Sequence, residues 1–481
     1  MLTTEEIKLF LDEDAASVLK KHAREGQRYY EGRHDILDYR MFYWNSDGQL
    51  VEDKTRSNAK IPHPFFTELV DQAAQYVMSG AENIFKSDIP ELQSKLDEYF
   101  NYNDYFLSEL TETITGQQVK GFDYMHAFKG ADGRLNFENA DCLGVVEVEG
   151  RFADDGKDQC IWKYADRIDK NGDMQWKILV VDDEYTAYYR QTDDGEILED
   201  TDKKVNPVPH NIYSDENGNL FRKTDEATFL PFFRLDNNKK KTSHLKTVKA
   251  LIDDYDLMAS SLTNNLIDFD VPLHVVRGYQ GDNLDQLQQN LKTKKIVGVD
   301  SEGGIEVKTV DVPYQARAAK LELDEKAIYR FGMGLNTAGL KDTSATTNIA
   351  IKAAYSLLEM RCMKIISELK KFLRQLLKPV IAEINEQNGT DYRDTQVYFN
   401  FDLEIMSNAS ENAQIGLTNA QEEQVRINTL LGAVTYLGDE LLAQYICDAL
   451  DIDYEAVKSK LPDPNEAQNQ INAAQSALQD E

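Results

Sequence analysis

Apolar side chains recur every three or four positions through the first 120 residues, which predicts helices. This spacing covers residues 5–31, then Phe65–Met78 and then Ile89–Gln117. Thr3 and Glu6 are spaced as in a capping box, in which each side chain accepts a hydrogen bond from the backbone N–H of the other residue. We therefore expect the first helix to begin directly after Thr3.

Between about residues 121 and 235 the pattern changes to short apolar or alternating runs, which predict β-strands. Asn171-Gly172, Asp194-Gly195 and Asn217-Gly218 separate these runs. Such pairs favour tight hairpin turns, because the turn residues adopt a positive φ. We therefore predict an antiparallel β subdomain over this part of the chain.

Helical spacing returns over Ser243–Phe269 and is followed by a compact αβ insert. The pattern predicts that this insert contains a strand, a short helix and two further strands: Leu273–Arg277, Asn283–Leu291, Ile296–Val299 and Ile305–Val310. We expect Ser301-Glu302-Gly303-Gly304 to join the last two strands.

The chain then predicts a helix over about Tyr314–Phe331 and a linker over Gly332–Thr347, whose glycines we expect to make it mobile. The longest helical pattern runs from Asn348 to about Glu386, and Pro379 should kink it near its end because proline cannot donate the intrahelical hydrogen bond. After about residue 415 the pattern is helical again, and it ends in a Pro/Asn/Gln-rich tail over Pro462–Glu481.

The composition is that of a globular chain, with 41% hydrophobic and 28% charged residues. The most apolar region, Ile365–Ile384, is interrupted by charged side chains, and the first residues lack the basic and apolar segments of a signal peptide. We therefore expect no membrane partner. Four cysteines lie far apart without CxxC spacing and are expected to be free thiols: Cys142, Cys160, Cys362 and Cys447.

The charge balance is strongly acidic. Lys and Arg total 53 and Asp and Glu total 84, which gives a net charge of −31. A protein that grips DNA by its phosphates presents a basic face, whereas this chain would repel DNA over most of its surface. Either nucleic acid is irrelevant to the function, or DNA passes without adhering. An acidic surface also aids solubility, and composition alone does not separate these interpretations.

One segment nearly matches a phosphate-binding loop. In Gly334–Lys341, however, Leu340 separates the second glycine from Lys341, and Asp342 follows where it would repel phosphate. The segment before it is predicted to be helical, whereas such a loop follows a strand. We reject nucleotide binding at this position.

Metal and nucleophile motifs also fail. If the Asn-Gly turns belonged to calcium loops, Arg167 and Tyr213 would occupy the first ligand position, and neither supplies a carboxylate. The seven histidines form no HxH or HxxxH pair, and no Gly-x-Ser-x-Gly motif occurs. The sequence therefore predicts no catalytic residue, no metal site and no cofactor.

Three groups of short motifs occur in a distinctive order. The first is Arg28–Ile36, Asn58–Ile61 and Phe66–Asp71, ending at Gly80; the second is Asn237-Asn238, Ser243–Lys246, Leu251–Tyr255 and Asn264–Phe269; the third is Thr343–Thr347 with Ala350, Lys352 and Tyr355. On these motifs the chain resembles the portal proteins of long-tailed phages, in the subfamily common among phages of Gram-positive hosts. The resemblance weakens in the β-rich part and after about residue 410.

The resemblance implies an α+β, mainly helical portal-protein fold that assembles into a ring of twelve subunits with an axial channel. It assigns the parts of the chain as follows: 1–240 to the wing, with the β-rich part at 121–235; 243–270 and 313–332 to the stem helices; 271–312 to the clip; 333–347 to the tunnel loop; 348–414 to a long kinked helix and a wing return strand; and 415–481 to the crown with a mobile acidic tail.

The implied function is a channel for packaging and ejection of double-stranded DNA, without sequence specificity, at one capsid vertex of the virion. The implied partners are further copies of the chain, the large terminase ATPase, the head-completion or adaptor protein, and the major capsid and scaffolding proteins, with assembly in the host cytoplasm. Two alternatives stay open: another head–tail connector or minor head protein, and an enzyme of the packaging machinery.

Candidate site residues lie in three places. The linker has small hydroxyls and one cation beside one anion, so we expect weak DNA contact from Asn336, Thr337, Lys341, Asp342, Thr343 and Ser344. The clip helix is the expected docking surface for the ATPase and the head-completion protein, through Asp285, Gln286, Gln289 and Lys292.

The third place is the helix before the linker. Three of its cations either line the channel or pair at helical spacing with acids of a neighbour, and we favour pairing for most of them. The cations are Lys320, Lys326 and Arg330, and the acids are Glu322, Asp324 and Glu325.

Overall fold

The computed structural model describes residues 2–403 with interruptions, and the single residues 421, 425 and 444 beyond them. The interruptions are residues 55, 131–132, 153–155, 157, 169–173, 204, 211, 215–219, 223–228, 270–272, 280–298, 309–312, 337–347 and 402. The chain divides into two compact units, Met1–Ala338 with Ala354–Glu404, and Gly339–Ala353 with Ile405–Glu481. The contacts described below belong to the first unit.

Two helices open the chain: α1 (Thr4–Ala16) and α2 (Val18–Tyr30). Thr3 caps α1 as predicted, because its Oγ1 accepts the N–H of Glu6 and the Glu6 carboxylate accepts the N–H of Thr3. The helical spacing over residues 5–31 is divided between both helices. Ser17 ends α1 and caps α2 by accepting the N–H of Lys20.

Further short elements and three helices follow: a hairpin of β1 (Phe42–Trp44) and β2 (Leu50–Glu52), then α3 (Phe65–Val77), β3 (Phe85–Lys86), α4 (Pro90–Leu96) and α5 (Asp104–Lys120). The prediction for α3 is confirmed. The pattern over Ile89–Gln117 contains both α4 and α5, which a π-helical segment at Asp97–Asn101 separates. Gly121 ends α5 at φ +96°, a conformation that glycine adopts without a steric penalty.

The β-rich part is antiparallel, as the hairpin signals predict. Its strands are β4 (Phe122–Lys129), β5 (Leu135–Ala140), β6 (Val145–Val148), β7 (Gln159–Ile168), β8 (Met174–Val181), β9 (Tyr185–Gln191), β10 (Ile197–Glu199), β11 (Val208–Pro209), β12 (Ile212–Ser214), β13 (Leu220–Arg222) and β14 (Phe232–Asp236). One sheet has the order β10-β9-β8-β7-β6, with β11 also on β9. A second has the order β14-β4-β5, and β12 pairs with β13.

Apolar clusters hold the first unit together, and three of those formed by described residues position the elements discussed below. One joins Ala23 of α2 to Trp162 and Phe232 of the two main sheets. Another packs Ile7 of α1 against the large sheet. The third includes Tyr29, Phe66, Leu69, Ile252 and Ile328, and so brings the helices of the N-terminal part onto the two helices described next.

The segment predicted as stem and clip contains α6 (Lys249–Phe269), β15 (Leu273–Tyr279), β16 (Val299–Lys308) and α7 (Tyr314–Phe331). The predicted break between two strands at Ser301–Gly304 is wrong. Arg277 pairs with Gly304 and Tyr279 with Val299, so the residues between them form a bulge within one strand. The predicted helix at Asn283–Leu291 lies outside the described residues.

The longest helix is α8 (Asn348–Asn388), which continues through Pro379. The expected kink stays a prediction. After α8, strand β17 (Tyr398–Phe399) pairs with β3 of the N-terminal part. Over the described part of the chain, no helix combines the length and the hydrophobicity needed to cross a membrane. The predicted crown, apart from three single residues, lies outside the described residues.

Candidate functional site

Helices α6 and α7 pack against each other, and a lysine links them. The ammonium of Lys320 on α7 contacts the carboxylates of Asp254 on α6 and Asp324 one turn along α7. Ile252 of α6 and Ile328 of α7 meet in the same apolar cluster. An ionic bridge beside apolar contacts therefore joins the two helices.

The other two candidate cations of α7 differ from each other. Lys326 pairs with Glu322 at 2.6 Å, again one turn away on the same helix, whereas Arg330 is exposed to solvent. Within the subunit, Lys320 and Lys326 thus have acid partners of their own chain, and pairing with acids of a neighbour stays a prediction. Placement of these three cations along a channel stays a prediction.

The linker after α7 begins with a packed segment, Gly332–Asn336, which we call the linker root. The Gln72 side chain on α3 binds both backbone groups of Leu335. Its Nε2 donates to the carbonyl oxygen at 3.0 Å, and its Oε1 accepts the N–H at 2.9 Å. A Cβ at position 332 or 334 would lie 2.5 or 2.1 Å from the Leu69 side chain. The two glycines of the linker root thus permit close packing on α3, and the expected mobility of the linker stays a prediction.

A buried guanidinium reaches the linker root from α8. Arg361 is 4% exposed, and its Nη1 donates to the carbonyl oxygens of Leu69 at 2.8 Å and Gly332 at 3.3 Å. Its Nη2 donates to the Gln118 amide oxygen. Burial lowers the pKa of Arg361 to about 9. The side chain is therefore still a cation at neutral pH, and all three of these acceptors are neutral.

A histidine shares one of these acceptors. His244, in the turn before α6, lies with Nε2 2.9 Å from the Gly332 carbonyl oxygen. Burial, together with the neighbouring Arg361 charge, lowers the pKa of His244 to about 3. The imidazole is therefore neutral at physiological pH. It carries its proton on Nε2, because a carbonyl oxygen can only accept.

An extended segment lies along the other side of α6. Side chains at every fourth position of the helix accept hydrogen bonds from the backbone N–H of every second residue of the segment. The pairs are Asp268 with Ser57 (3.2 Å), Asn264 with Ala59 (2.6 Å), Ser260 with Ile61 (3.1 Å) and Asp256 with His63 (2.9 Å). Four helical residues advance about 6 Å and two extended residues about 6.6 Å, so the two spacings match. We call these four bonds the arm ladder.

Asp256 also binds two histidine rings. Its fully buried carboxylate lies 2.6 Å from Nδ1 of His34 and 2.8 Å from Nδ1 of His63. Burial raises the pKa of Asp256, but the hydrogen bonds from His34 and His63 bring it below its ordinary value. His34 and Asn58–Ile61 belong to the first group of resemblance motifs and Asn264 to the second. The structure thus brings these motifs into direct contact.

The group that best resembles a metal-ligand set is Asp123, Asp141 and Cys142, whose ligand atoms lie within 4.8 Å of one another. The Lys120 ammonium lies 2.9 Å from Asp123 and 2.8 Å from Asp141, so the chain itself supplies the positive charge between these carboxylates. Burial raises the pKa of the Cys142 thiol, which keeps it protonated and a poor ligand. We assign this cluster a structural role.

Most predicted contact residues lie outside the described residues. They are Thr337, Lys341, Asp342, Thr343 and Ser344 of the linker, and Asp285, Gln286, Gln289 and Lys292 of the insert. Asn336 ends the linker root, and its Nδ2 donates to Glu325 at 3.3 Å. Sequence reasoning missed Arg361 and Gln72. The available signal for Arg361 was an arginine inside the apolar stripe of a long helix.

Two relatives found by comparison with known proteins are both named portal protein. The sequence model of the family described as phage portal protein, SPP1 Gp6-like, matches residues 13–441. A portal protein of Bacillus phage SPP1 is 25% identical over 338 residues, which cover 70% of this chain and 65% of that protein. A portal protein of Clostridium phage phiCD119 is 23% identical over 430 residues, which cover 85% of this chain and 88% of that protein.

A structural neighbour is more distant. A chain from the solved neck of an empty GTA particle is 12% identical, with a TM-score of 0.38, and the match covers 80% of this chain and 90% of that one. A likeness at that TM-score bears on neither fold nor function. The match to the SPP1 portal protein spans slightly less than two thirds of its length.

Proposed function

The chain belongs to the SPP1 Gp6-like family of phage portal proteins, and we propose that it forms a ring of twelve subunits at one vertex of the capsid. Double-stranded DNA enters the head through this ring during packaging and leaves through it during ejection. The proposal rests on the family match over residues 13–441, which includes every residue that contacts the linker root. The chain acts as a structural protein, and we assign it no catalytic residue.

The order of the described elements supports an assignment of regions. Helix α6, the β15–β16 pair, α7, the linker and α8 follow one another along the chain, as the stem, clip, stem, tunnel loop and long helix of a portal subunit would. We assign the regions within the boundaries expected from the sequence: wing 1–240, stem 243–270 and 313–332, clip 271–312, tunnel loop 333–347, long helix and return strand 348–414, crown 415–481.

Weak adhesion is what a DNA conduit requires. A basic lining would hold many phosphates at once and release them slowly. Two features of this chain reduce such a grip: the net charge of −31, and the pairing of Lys320 and Lys326 with acids of their own subunit. Repulsion from an acidic lining decays over about 8 Å at physiological salt, so it centres a duplex without blocking it.

The proposed partners follow from the same role. The clip docks the large terminase ATPase during packaging and the head-completion or adaptor protein afterwards, and the wing meets the major capsid and scaffolding proteins. The ring assembles in the host cytoplasm and is part of the virion. Replacing Asn283–Leu291 with an unrelated helix should leave ring assembly intact and abolish packaging, as measured by the DNA content of purified heads. Normal packaging by that variant would exclude the clip helix as the docking surface.

Electron microscopy of the purified full chain tests the main proposal. We expect particles with high-order rotational symmetry and a central hole. A minor head protein or a packaging enzyme would give monomers or small oligomers instead. If light scattering and images show only monomers or dimers at every salt concentration, the portal proposal is wrong.

Lys341 is the cation that we propose contacts DNA, because it is the one lysine of the linker and stands beside Asp342. Lys341→Ala should leave the ring folded, since loop substitutions usually change stability by less than about 0.5 kcal/mol. We expect incomplete packaging with Lys341→Ala and a stronger defect with Lys341→Glu, measured as the length of packaged DNA. Full-length genomes in both variants would remove Lys341 from DNA handling.

A further inference from the structure

The β1–β2 hairpin carries apolar side chains on both of its faces. Trp44 is paired with Leu50 and Tyr43 with Val51, and successive pairs face opposite sides of the hairpin. Trp44 is 70% exposed and Leu50 is 55% exposed. A two-stranded hairpin is at best marginally stable by itself, and an exposed apolar patch of this kind marks an interaction surface. A partner must therefore cover this hairpin.

The arm ladder fixes the position of residues 57–63, which follow the hairpin, relative to α6. It holds the segment that follows the hairpin on the face of α6 that contains Asp256 and Ser260. Helix α7 packs on the face where Asp254 meets Lys320. Positions 254 and 256 are about 200° apart around a helix. Residues 57–63 and the Lys320 contact of α7 therefore lie on different faces of α6.

Charge indicates which surface covers the hairpin. Residues 41–53 contain Asp47, Glu52 and Asp53, of which Asp53 is paired with Arg56, and Arg40 and Lys54 flank this stretch. The exposed face of α7 combines small or apolar side chains with cations, and its one acid in this stretch, Glu322, is already paired with Lys326. Its exposed residues include Ala316, Ala319, Leu323, Lys326 and Arg330. Asp47 and Glu52 of the apolar hairpin and the exposed Arg330 of the apolar face of α7 carry opposite charges, which favours contact between these two surfaces.

We propose that the β1–β2 hairpin of one subunit docks on the exposed face of α7 in the next copy of the chain. This inference rests on the proposed ring. Contact between two different patches of the chain is head-to-tail, and a head-to-tail contact generates a ring when the rotation between successive subunits closes. In this contact the aromatic side chains of the hairpin cover Leu323, and its acids face Arg330.

Trp44→Asp in the full chain tests the contact. Because Trp44 is mostly exposed, the subunit should keep its circular dichroism spectrum, while association should weaken at least about 30-fold, as for a central interface residue. Tyr102→Asp is the matched control, since Tyr102 is also 70% exposed but lies in the α4–α5 connection. Sedimentation should show rings for Tyr102→Asp and subunits for Trp44→Asp. Equal assembly of both variants would overturn the proposal.

Cross-linking identifies the receiving surface. Trp44→Cys and Leu323→Cys are made in a Cys447→Ser background, purified separately, mixed under assembling conditions and treated with a short bismaleimide. A covalent dimer should form in the mixture and not in either variant alone, because the contact joins unlike patches. Rings that assemble in the mixture without this dimer would refute the hairpin contact and leave the proposed function standing. A wild-type chain that never forms rings would refute the proposed function itself.

Discussion

Arg361 is the residue whose energetics are least expected. A buried cation is costly unless it is paired, and here the guanidinium is compensated only by carbonyl and amide oxygens. The amide nitrogen of its partner Gln118 is itself buried without a hydrogen-bond partner among the described residues. The Arg361 side chain connects α8 to α3, α5 and the linker root through its hydrogen-bond donors.

Gln118→Glu should therefore stabilise the fold. The new carboxylate would pair with Arg361, and the substitution would eliminate the unpaired N–H groups of Gln118. We expect the free energy of unfolding to rise by about 1–3 kcal/mol. We expect a higher midpoint of thermal unfolding. Gln117→Glu is the control at the next position. Its amide donates to the Asp236 carbonyl at 3.0 Å, and a carboxylate there would lose that bond and lower the midpoint. A lower unfolding midpoint for Gln118→Glu would show that the buried Arg361 charge does not destabilise the fold.

His244 should make the fold sensitive to mild acid. Its pKa is about 3 in the folded chain, against about 6.5 when unfolded, so between these values the unfolded state binds the extra proton. The stability from this group is complete above about pH 6.5 and is lost as pH falls. At about pH 5.5 the loss is about 1.4 kcal/mol. His244→Gln keeps a donor for the Gly332 carbonyl and should lose less stability between about pH 7.5 and 5.5.

Urea unfolding at the two pH values measures this difference. His22→Gln serves as the control, because His22 is exposed and its replacement changes the histidine count without altering the buried site. If wild type and His244→Gln lose the same stability on acidification, His244 does not contribute to the acid sensitivity.

At the scale of elements, the helices, caps and turns that depend on short-range sequence patterns could be predicted. The apolar stripe of α3, the Thr3 cap and the Asp194-Gly195 turn between β9 and β10 are short-range features, and the structure confirms them. The Asn171-Gly172 and Asn217-Gly218 turns lie outside the described residues. The helix boundary at Ser17 was missed because the apolar spacing continues across it. The bulge within β16 was missed because Gly303-Gly304 is equally compatible with a turn and with an irregular strand.

The candidate site was predictable only in part, for the same reason. Lys326 and Glu322 are four positions apart on one helix, so their pairing follows from helical geometry. Gln72 binds Leu335 across 263 positions, and Arg361 binds Leu69 across 292 positions. Such contacts depend on how the helices pack, and no local pattern encodes them. The packing of the two linker-root glycines on Leu69 was not predicted, because glycine occurs in tightly packed segments as well as in mobile ones.

The Gln72 clamp gives a prediction for α3 and the linker. Gln72→Leu removes both hydrogen bonds to Leu335. The backbone N–H of Leu335 should then exchange with deuterated solvent at least about tenfold faster, which corresponds to a loss of about 1.4 kcal/mol in the free energy of local opening. Gln75→Leu changes the same residue type one turn along α3, at an exposed position, and should leave that exchange unchanged. Equal exchange in both variants would mean that Gln72 does not hold the linker root. If the clamp also positions the tunnel loop, Gln72→Leu should reduce packaged DNA length as well.

At the scale of the whole molecule, the acidic charge and the proposed ring oppose each other. Twelve copies of a chain of charge −31 repel one another, and this repulsion favours separated subunits. The contacts that overcome it must be mainly apolar, such as the proposed one between the hairpin and α7. Apolar contacts weaken little with salt, whereas long-range repulsion is screened strongly.

Association of subunits should therefore tighten as salt is added. The Debye length falls from about 30 Å at about 0.01 M ionic strength to about 8 Å at about 0.15 M, so repulsion between whole subunits is largely removed over that range. We expect sedimentation to show a growing fraction of rings across the same interval. Potassium glutamate and sodium chloride should act alike, because screening depends on ionic strength and not on the identity of the anion. A ring held mainly by salt bridges would behave in the opposite way, and dissociation with added salt would show that ionic contacts, and not the apolar hairpin, dominate the interface.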